Sequence, residues 1–321
     1  MKLLTRDDFR EKVLARSNGI CCVPDCGKPA EDAHHIIERR LWDDGGYYLE
    51  NGAAVCDLNG TGHHMDCEQN LILPDQLREW CGIEEVVLPP DFDDTLTYNK
   101  WGEVVNWSGK YPRTFHLPNS LTKYKDDKTL KSLEFLENVP LVVTEKMDGE
   151  NTTMSRDRIH ARSVDSDAHD SQSWVRNLWS KIRWEIPEGY RFCGENMYAT
   201  HSIFYDDLES YFFLFGVWDG QTLLSWDETE EWAALLELPT PKVLYRGDSL
   251  TDALKAWNLD DEVSEGYVVR VAGEIPLRMF SRSVGKFVRQ NHVRTLDHGW
   301  RFRNDYRVNL MQGPLSSSLI L

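Results

Sequence analysis

The chain has 321 residues, enough for two domains, and its 41% apolar and 28% charged residues are typical of a globular protein that folds in water. Its net charge of −17 argues against a protein that covers nucleic acid with a uniformly basic surface. No apolar run approaches the roughly 20 residues of a membrane helix, and the N-terminus lacks a signal peptide's apolar core, so we expect a cytoplasmic protein without membrane contact.

The first predicted element is a helix that starts after the cap residue Thr5 and places Phe9, Val13 and Leu14 on one face. Metal-binding residue types are concentrated just after it. Five of the seven cysteines lie between residues 21 and 67, together with two histidine pairs. An odd number of clustered cysteines in a cytosolic chain favours metal ligation over a disulfide framework.

The segment from Cys21 to Cys67 resembles the HNH endonuclease finger, a ββα hairpin that holds one divalent ion while flanking cysteines hold a structural zinc ion. The motifs that carry the resemblance are Cys22-x3-Cys26, Asp32-Ala33-His34-His35-Ile36, Asn51, Cys56 and His63-His64. The resemblance implies that His34 and His64 bind the metal, that His35 is the base that activates water, and that Asn51 orients this base. It implies a zinc set of Cys22, Cys26, Cys56 and His63.

The spacing after Cys56 departs from the family, because six residues separate it from His63-His64 where the family has a second cysteine directly followed by histidine. It therefore stays open whether His63 or Cys67 completes the zinc site, and whether Cys21 replaces Cys22. Two functions also stay open for this domain. It either cuts nucleic acid or only positions a substrate as an inherited zinc fold. A zinc finger needs only the cysteines and one histidine, so the extra histidine pair and Asn51 favour retained metal chemistry.

A second helix is predicted between residues 70 and 82, where Leu71, Leu73, Leu77 and Trp80 follow helical spacing. The proline-rich and acidic stretch over residues 89–94 is typical of a connector. We therefore place the domain boundary near residue 100, which gives an HNH-like zinc domain over 1–100 and a second domain over 101–321.

Lys146 is the central residue of the second domain. The apolar run over residues 139–143 predicts a short buried strand, and Lys146 follows it beside the Asp148-Gly149 turn. A lysine fixed in this way can act as a nucleophile. Its amine reacts only when unprotonated, so a pKa of about 10.4 must be lowered by burial or by nearby cations.

Four further motifs follow in order, and together with Lys146-Met147-Asp148-Gly149 they resemble the collinear motifs of the covalent nucleotidyltransferases, which include ATP-dependent RNA and DNA ligases and mRNA capping enzymes. These motifs are Gly194-Glu195-Asn196, Phe213 to Asp219, Glu265 to Arg270 and Val284 to Arg289. The resemblance implies that Lys146 accepts AMP. It also implies that Glu265 orients metal-bound water or the lysine, and that Lys286 neutralises phosphate charge and lowers the pKa of Lys146.

The nucleotide pocket is implied by the same resemblance. Its residues would be Asp148, Gly149, Asn151, Glu195 and an aromatic ring that stacks on adenine, Phe215 first and Phe213 next. The segment over residues 110–118 is either part of this pocket or a surface loop. The family usually has two lysines in the last motif, whereas this chain has Lys286 followed by Arg289.

Two features favour RNA ligases over DNA ligases. Asn151 stands at the fifth position after the lysine, where DNA ligases typically carry arginine. Only 35 residues follow Lys286, too few for the OB domain of roughly 100 residues that closes over the nucleotide in DNA ligases and capping enzymes. We therefore expect an α+β fold with an antiparallel-sheet adenylation domain of the ATP-grasp-like ligase type and no C-terminal OB domain.

Basic residues are concentrated near the end of the chain, where nine lysines and arginines face three acidic residues between Arg270 and Arg307. The cluster surrounds the last nucleotide motif, which favours a phosphate-facing groove over a merely solvated surface. The residues predicted to bind RNA phosphates are Arg162, Arg270, Arg282 and Arg289. Trp174 and Trp179 recur at helical spacing and are interpreted as core residues.

These motifs predict an ATP-dependent RNA ligase that joins 3′-hydroxyl and 5′-phosphate ends in RNA repair. The reaction would pass through lysyl-AMP and an adenylylated 5′ end and would use ATP, Mg²⁺ or Mn²⁺ and a structural Zn²⁺. The expected partner is RNA, and no protein partner is implied. The alternative is a metal-dependent HNH nuclease whose ligase-like domain only binds nucleotide or RNA.

Overall fold

The computed structural model describes residues 2–57, 60, 62–94, 96–105, 109–121, 127–162, 169–257, 264–289 and 306–312. The chain divides into two compact units, Met1–Trp107 and Ser108–Leu321. This division lies seven residues after the sequence boundary, because Trp101 Nε1 donates to the carbonyl oxygen of Glu68 at 3.2 Å and the Asn99 side chain bonds Glu103. No helix in these residues is long and apolar enough to cross a bilayer.

In its described residues, the first unit contains three α-helices and one antiparallel hairpin. Its elements are α1 (Arg6–Arg16), β1 (Asp32–His35), β2 (Gly52–Val55), α2 (His63–Glu68) and α3 (Pro74–Trp80). The hairpin pairs Asp32 with Val55 and His35 with Gly52. Because alternate residues of a strand point to opposite faces, Ala33 packs with α1 while Val55 packs toward α2 and α3.

The helix α1 begins where the sequence predicts. The hydroxyl of Thr5 accepts a hydrogen bond from the backbone N–H of Asp8 at 3.2 Å, which caps the helix. Phe9 and Val13 are buried on its inner face. Gly52 lies under this face, and a Cβ atom there would come within 2.3 Å of Val13. The close contact between α1 and the hairpin therefore requires glycine.

The second unit contains two sheets. Its elements are β3 (Phe115–His116), β4 (Leu141–Lys146), β5 (Glu150–Met154), β6 (Ile159–Ala161), α4 (Ser173–Ile182), β7 (Tyr190–Asn196), β8 (Phe212–Asp219), β9 (Thr222–Leu223), α5 (Trp226–Leu235), β10 (Val243–Gly247), α6 (Leu250–Ala253), β11 (Gly266–Val271), β12 (Ile275–Pro276), α7 (Phe280–Ser283) and β13 (Val284–Val288). The five-stranded sheet has the order β10-β4-β11-β13-β3, and the six-stranded sheet has the order β12-β9-β8-β7-β5-β6. Only β3 pairs in parallel among these strands. The predicted mixed α+β class with antiparallel-rich sheets is confirmed.

Each sheet has one apolar face. In the five-stranded sheet, alternate residues of β4 and β11, such as Val143 and Val269, form a core with residues of α6. In the six-stranded sheet, the face that carries Phe212 packs against α4 and α5. Trp174 and Trp179 pack against this second core, which confirms their interpretation as core residues. The opposite faces of both sheets carry the polar motif residues.

Candidate active site and metal sites

Lys146 is the last residue of β4, between β10 and β11 in the five-stranded sheet. Its ammonium group is ion-paired with the carboxylate of Glu265, the residue that precedes β11. Both side chains are largely buried. The backbone of Glu265 is held in turn, because its carbonyl oxygen accepts from the N–H of Arg289 at 3.0 Å. A strand end thus fixes the lysine that the sequence identified as the candidate nucleophile.

The charge around Lys146 differs from the prediction. Burial lowers the pKa of its amine, but Glu265 and then Glu195 raise it by more, so the net pKa is raised. The net direction is therefore opposite to the one expected, and the effect of Lys286 on this pKa stays a prediction. Lys286 lies on the same sheet face as Lys146. Its pairing partner on β11 is Val268, which in turn pairs with Thr144 on β4. Thr144 and Lys146 are two residues apart and therefore point to the same face. The carboxylates nevertheless dominate the electrostatic field at the amine.

Glu195 provides the second carboxylate near Lys146. It lies on β7, opposite Asn151 on β5 and Phe213 on β8, so these three side chains share one sheet face. Burial raises the pKa of Glu195 to about 8, although the charge of Lys146 opposes this shift. Burial therefore favours the protonated form of this carboxyl group at neutral pH.

The Asp148-Gly149 turn is anchored by hydrogen bonds within the protein. Asp148 Oδ2 accepts from the N–H and hydroxyl of Ser202 at 2.8 and 2.6 Å and from the N–H of Ile203 at 2.9 Å. At Gly149, a Cβ atom would come within 2.6 Å of the carbonyl oxygen of Asn196. Both residues fix the path of the chain after Lys146. Their direct contact with a nucleotide stays a prediction.

Phe215 occupies an irregular position in β8. Cys193 pairs with Gly216 and Gly194 pairs with Leu214, so Phe215 is the extra residue of a β-bulge. It is half-buried and meets the ring of Tyr111 edge-on at 5.1 Å. Phe213 is more deeply buried, among Met147 and other apolar residues. The bulge therefore leaves Phe215 as the more accessible of the two rings proposed to stack on adenine.

Tyr111 is a member of the site that the sequence did not identify individually. Its ring also meets Phe280 at 5.3 Å, and burial raises the pKa of its hydroxyl group. Glu195 and Arg162 also act on this pKa, which places Tyr111 close to both charges. An aromatic residue in a loop with no periodicity carries no sequence signal, so only the packing identifies it.

The four arginines predicted to bind phosphate lie in different environments. Arg270 is buried and donates to the carbonyl oxygens of Leu224 at 2.7 Å and of Val271 at 3.0 Å, and burial lowers its pKa to about 10. Arg289 donates to the carbonyl oxygen of Ser264, and Arg282 lies over the ring of Phe135.

Arg162 directly follows β6. Continuing the pairing of Ala161 with Thr152 by one residue places Arg162 opposite Asn151, on the face of Glu195. Of the four arginines, only Arg162 has its position on this face fixed by the strand register. Arg294, Arg301 and Arg303 of the basic segment lie outside the described residues.

In the first unit, three thiols and one imidazole form a compact group. Cys21 and Cys56 lie 3.4 Å from His63 Nδ1, and the sulfur atoms of Cys26 and Cys56 are 3.9 Å apart. A tetrahedral zinc ion with bonds of about 2.3 Å to sulfur and 2.0 Å to nitrogen requires ligand separations of roughly 3.5–3.8 Å, so these residues fit it.

The alternatives at this group can be compared by position. Cys21 takes the place in this group that the resemblance gave to Cys22, whereas the thiol of Cys22 interacts with Cys81. His63 rather than Cys67 is part of the group. Cys67 is buried in the adjoining apolar core.

A second group consists of Asp32, His34 and His64, whose ligand atoms all lie within 4.8 Å of one another. His34 and His64 were predicted as metal ligands, whereas Asp32 was not assigned a role. The sequence could have indicated Asp32 as a ligand, because it stands two residues before His34 and therefore lies on the same face of a strand. Glu68 Oε1 lies 3.5 Å from His64 Nε2, and Glu68 is ion-paired with Lys100.

His35 lies on the opposite side of β1 from this group. Its ring stacks on Phe9 with centroids 4.7 Å apart, and burial lowers its pKa to about 4. Asn51 holds the backbone of Ile37, with hydrogen bonds of 2.8 and 3.0 Å, rather than the ring of His35. The implied arrangement, in which His35 activates water near His34 and Asn51 orients it, is not the one observed. The strand alternation separates the two histidines.

Comparison with known proteins gives one family match. Residues 139–288 match the family model described as RNA ligase. This segment includes Lys146, Glu195, Phe215, Glu265 and Lys286. No curated protein matches the chain at a significant level.

Several solved structures resemble the chain at low identity. An archaeal ATP-dependent RNA ligase is 14% identical with a TM-score of 0.39, covering 60% of this chain and 51% of its own. A Naegleria gruberi RNA ligase variant with ATP and Mn is 17% identical with a TM-score of 0.37, covering 75% and 76%. A putative ATP-dependent DNA ligase from Aquifex aeolicus is 18% identical with a TM-score of 0.36, covering 64% and 54%.

The match thus spans about half the length of the archaeal ligase. Because these TM-scores lie below 0.5, the solved structures carry no functional conclusion here. The family model covers the segment that contains the motifs found in the sequence. The predicted resemblance to RNA ligases is therefore confirmed for residues 139–288, the part of this chain that is similar to the RNA ligase nucleotidyltransferases.

Proposed function

We propose that the second unit is an ATP-dependent RNA ligase domain and that Lys146 is its AMP-accepting nucleophile. The observation that carries the proposal is the buried ion pair of Lys146 with Glu265, beside Glu195, in the segment that matches the RNA ligase family. A lysine held by two carboxylates between polar sheet faces is typical of a reactive group rather than a surface charge. The substrates would be ATP and RNA ends.

The first step forms a covalent adenylate. The ammonium group of Lys146 passes a proton to Glu265, its ion-pair partner, and the free amine attacks the α-phosphorus of ATP. The new N–P bond replaces the bond to pyrophosphate, which leaves. Mg²⁺ or Mn²⁺ bound with ATP would neutralise carboxylate and phosphate charge and so favour the unprotonated amine.

The second and third steps use the RNA ends. The oxygen of a 5′-phosphate attacks the adenylate phosphorus, the N–P bond breaks, and Lys146 regains its proton. A 3′-hydroxyl then attacks the activated 5′-phosphate and releases AMP, which closes the strand. The ring of Phe215 would hold adenine, while Lys286 and Arg162 would contact phosphate oxygens.

Self-adenylylation tests this proposal directly. The protein is incubated with α-labelled ATP and Mg²⁺ and resolved on a denaturing gel. We expect the wild type to carry label and Lys146→Ala to carry none. Lys255→Ala, which removes an exposed lysine just after α6, should label like the wild type. An unlabelled wild type would contradict the proposal and favour a domain that only binds nucleotide or RNA.

A sealing assay then defines the substrate. Labelled 5′-phosphate RNA is offered with a 3′-hydroxyl end as a nicked duplex and as free single strands, and with DNA in place of either end. The ratio of sealing rates identifies the preferred ends. Absence of sealing by a protein that forms lysyl-AMP would contradict the ligase assignment and leave only nucleotidyl transfer.

For the first unit we propose a structural zinc site made by Cys21, Cys26, Cys56 and His63. As a second candidate function, Asp32, His34 and His64 would bind a divalent ion for the cleavage of nucleic acid. The burial of His34, whose Nε2 has no hydrogen-bond partner among the described residues, favours this candidate. Incubation of labelled strands with Mn²⁺ tests it, and no cleavage by the wild type would leave the unit with zinc binding alone.

A further inference from the structure

Basic residues alternate along the edge strand β6 and the turn before it. Positions 156, 158, 160 and 162 are Arg, Arg, His and Arg, whereas the intervening Ile159 and Ala161 are buried. A strand advances about 3.3 Å per residue, so alternate side chains stand about 6.6 Å apart on one face. This spacing is close to the distance between successive phosphates of an extended single strand.

The strand register shows which face these side chains occupy. His160 pairs with Thr153, which pairs with Cys193, in the same face as Asn151 and Glu195. Arg158 and Arg162 lie two residues to either side of His160 and therefore point to the same face. The row runs from Arg162, next to the Lys146 site, to Arg158 at the far end of the hairpin.

An exposed aromatic residue lies at this far end. Trp184 is 63% exposed, the largest exposed fraction of any tryptophan in the described residues. The guanidinium of Arg156 lies over its ring at 5.6 Å, and that of Arg183 lies at 4.6 Å. Trp184 thus presents an indole face in a basic setting, which is the combination that proteins use to bind unpaired bases and backbone phosphates.

The acidic contact of Asp157 near this end is weak. Asp157, in the turn, is ion-paired with Arg183 at 3.5 Å, but its side chain is 85% exposed. Exposed pairs of this kind contribute little and are readily replaced by phosphate. In a chain with a net charge of −17, a row of basic side chains with an open indole is therefore a local exception that suits an anionic, base-bearing ligand.

We infer that Arg162, His160, Arg158 and Arg156, ending at Trp184, form a track that binds single-stranded RNA leading away from the Lys146 site. The inference rests on the proposed ligase function for its choice of RNA. Each arginine contacts one phosphate, His160 lies between Arg158 and Arg162 on the same face, and an unpaired base three or four nucleotides from the end stacks on Trp184. The track makes the domain select ends with a single-stranded overhang or tail over blunt duplex ends.

Anisotropy of a labelled, unstructured 5′-phosphate RNA of 12 nucleotides, without ATP, tests the track. The variants are Arg156→Glu with Arg158→Glu, Trp184→Ala and Trp184→Phe. The matched control is Lys255→Glu, which makes the same charge reversal just after α6, whose residues pack against the apolar face of the other sheet. All the substituted side chains are exposed or half-buried, so the fold is retained.

The double charge reversal should weaken binding at least tenfold and reduce the slope of affinity against salt by about 1 to 2, as expected for two lost phosphate contacts. Trp184→Ala should weaken binding about tenfold, and Trp184→Phe should restore most of it. Affinities equal to that of Lys255→Glu would overturn the track. Tighter binding to DNA of the same sequence would overturn the choice of RNA.

Self-adenylylation of the same proteins separates the two proposals, because it requires no RNA. A wild type that binds RNA through the track but takes no label from ATP would contradict the ligase function and support the track as an RNA-binding surface. A wild type that is labelled, with track variants that bind RNA normally, would support the ligase and overturn the track.

Discussion

The amine of Lys146 and the carboxyl groups of Glu265 and Glu195 lie close enough together to shift one another's pKa values. Glu265 pairs with the ammonium group, and Glu195 carries the raised pKa of about 8. The ligand-free site thus stores a proton on Glu195 and another on Lys146. A cation bound with ATP would lower the pKa of both groups and so favour the proton transfer that frees the amine.

Glu195 makes stability depend on pH. Its pKa is raised from 4.5 to about 8, so between these values the folded protein binds a proton that the unfolded chain does not. The free energy of unfolding therefore falls as pH rises through this window. Glu195→Gln should flatten this dependence and stabilise the protein at pH 8 relative to the wild type. Thermal melts from pH 5 to 8.5 measure it, and parallel curves for both proteins would contradict the assignment.

Asp148 should matter for folding as well as for any nucleotide contact. Its Oδ2 accepts three hydrogen bonds from Ser202 and Ile203. Asp148→Ala leaves buried donors unpaired and should cost about 3 kcal/mol of unfolding free energy. Asp157→Ala, at an 85% exposed side chain, is the control and should change it by less than about 0.5 kcal/mol. Equal denaturation midpoints for the two variants would show that the turn is not anchored in this way.

The strands β11 and β13 approach each other closely at Gly266, the residue next to Glu265. Gly266 has φ of +152°, and a Cβ atom there would lie 2.1 Å from the carbonyl oxygen of Phe287. Gly266→Ala should therefore destabilise the domain by more than about 2 kcal/mol and reduce self-adenylylation, because Glu265 moves with the strand.

Gly273 provides the matched control for this strand. It lies in the turn after β11, and a Cβ atom there would meet nothing within 4 Å. Gly273→Ala should leave both the denaturation midpoint and the labelling unchanged. If Gly266→Ala also left the denaturation midpoint and the labelling unchanged, the close packing of β11 on β13 would not be what positions Glu265.

The positions of the cysteines around the hairpin and α2 indicate that Cys21, rather than Cys22, binds zinc. Cys21 lies with Cys26, Cys56 and His63, whereas Cys22 interacts with Cys81. Cys21→Ser should lose the bound zinc, and Cys22→Ser should retain it, as measured by metal analysis of the purified proteins. The opposite result would restore the assignment that the sequence favoured, and zinc loss in both variants would indicate that both thiols are required.

At the scale of the whole molecule, the two units should respond separately to metal removal. A zinc-selective chelator should expose the first unit to hydrogen exchange, since its hairpin and α2 meet at the cysteine group. Self-adenylylation with added Mg²⁺ should continue, because Lys146, Glu195 and Glu265 all lie in the second unit. Loss of labelling in proportion to zinc loss would show that the second unit depends on the first.

Local patterns were enough to predict much of the architecture. An apolar run predicted β4, helical spacing predicted α1 and α4, and the ordered motifs gave Lys146, Glu195 and Glu265 as candidate site residues. These features depend on neighbouring residues or on motif order, which the sequence contains directly. The family match to residues 139–288 agrees with that reading.

Other features depended on which distant segments meet. The net charge around Lys146 depends on β7 and β11 bringing Glu195 and Glu265 to it, so local motifs alone predicted a lowered pKa where the structure raises it. The sequence suggested that Arg270 could bind phosphate. In the structure it is buried and donates to the carbonyl oxygens of Leu224 and Val271.

Strand alternation and register decided the remaining residues. They separated His34 from His35, and they aligned Arg158 with Arg162 on one face. The sequence by itself therefore determined which chemical groups the chain carries and in what order. Only the tertiary structure decided their protonation, exposure and partners, because these depend on burial and on charges contributed by residues far away in the chain.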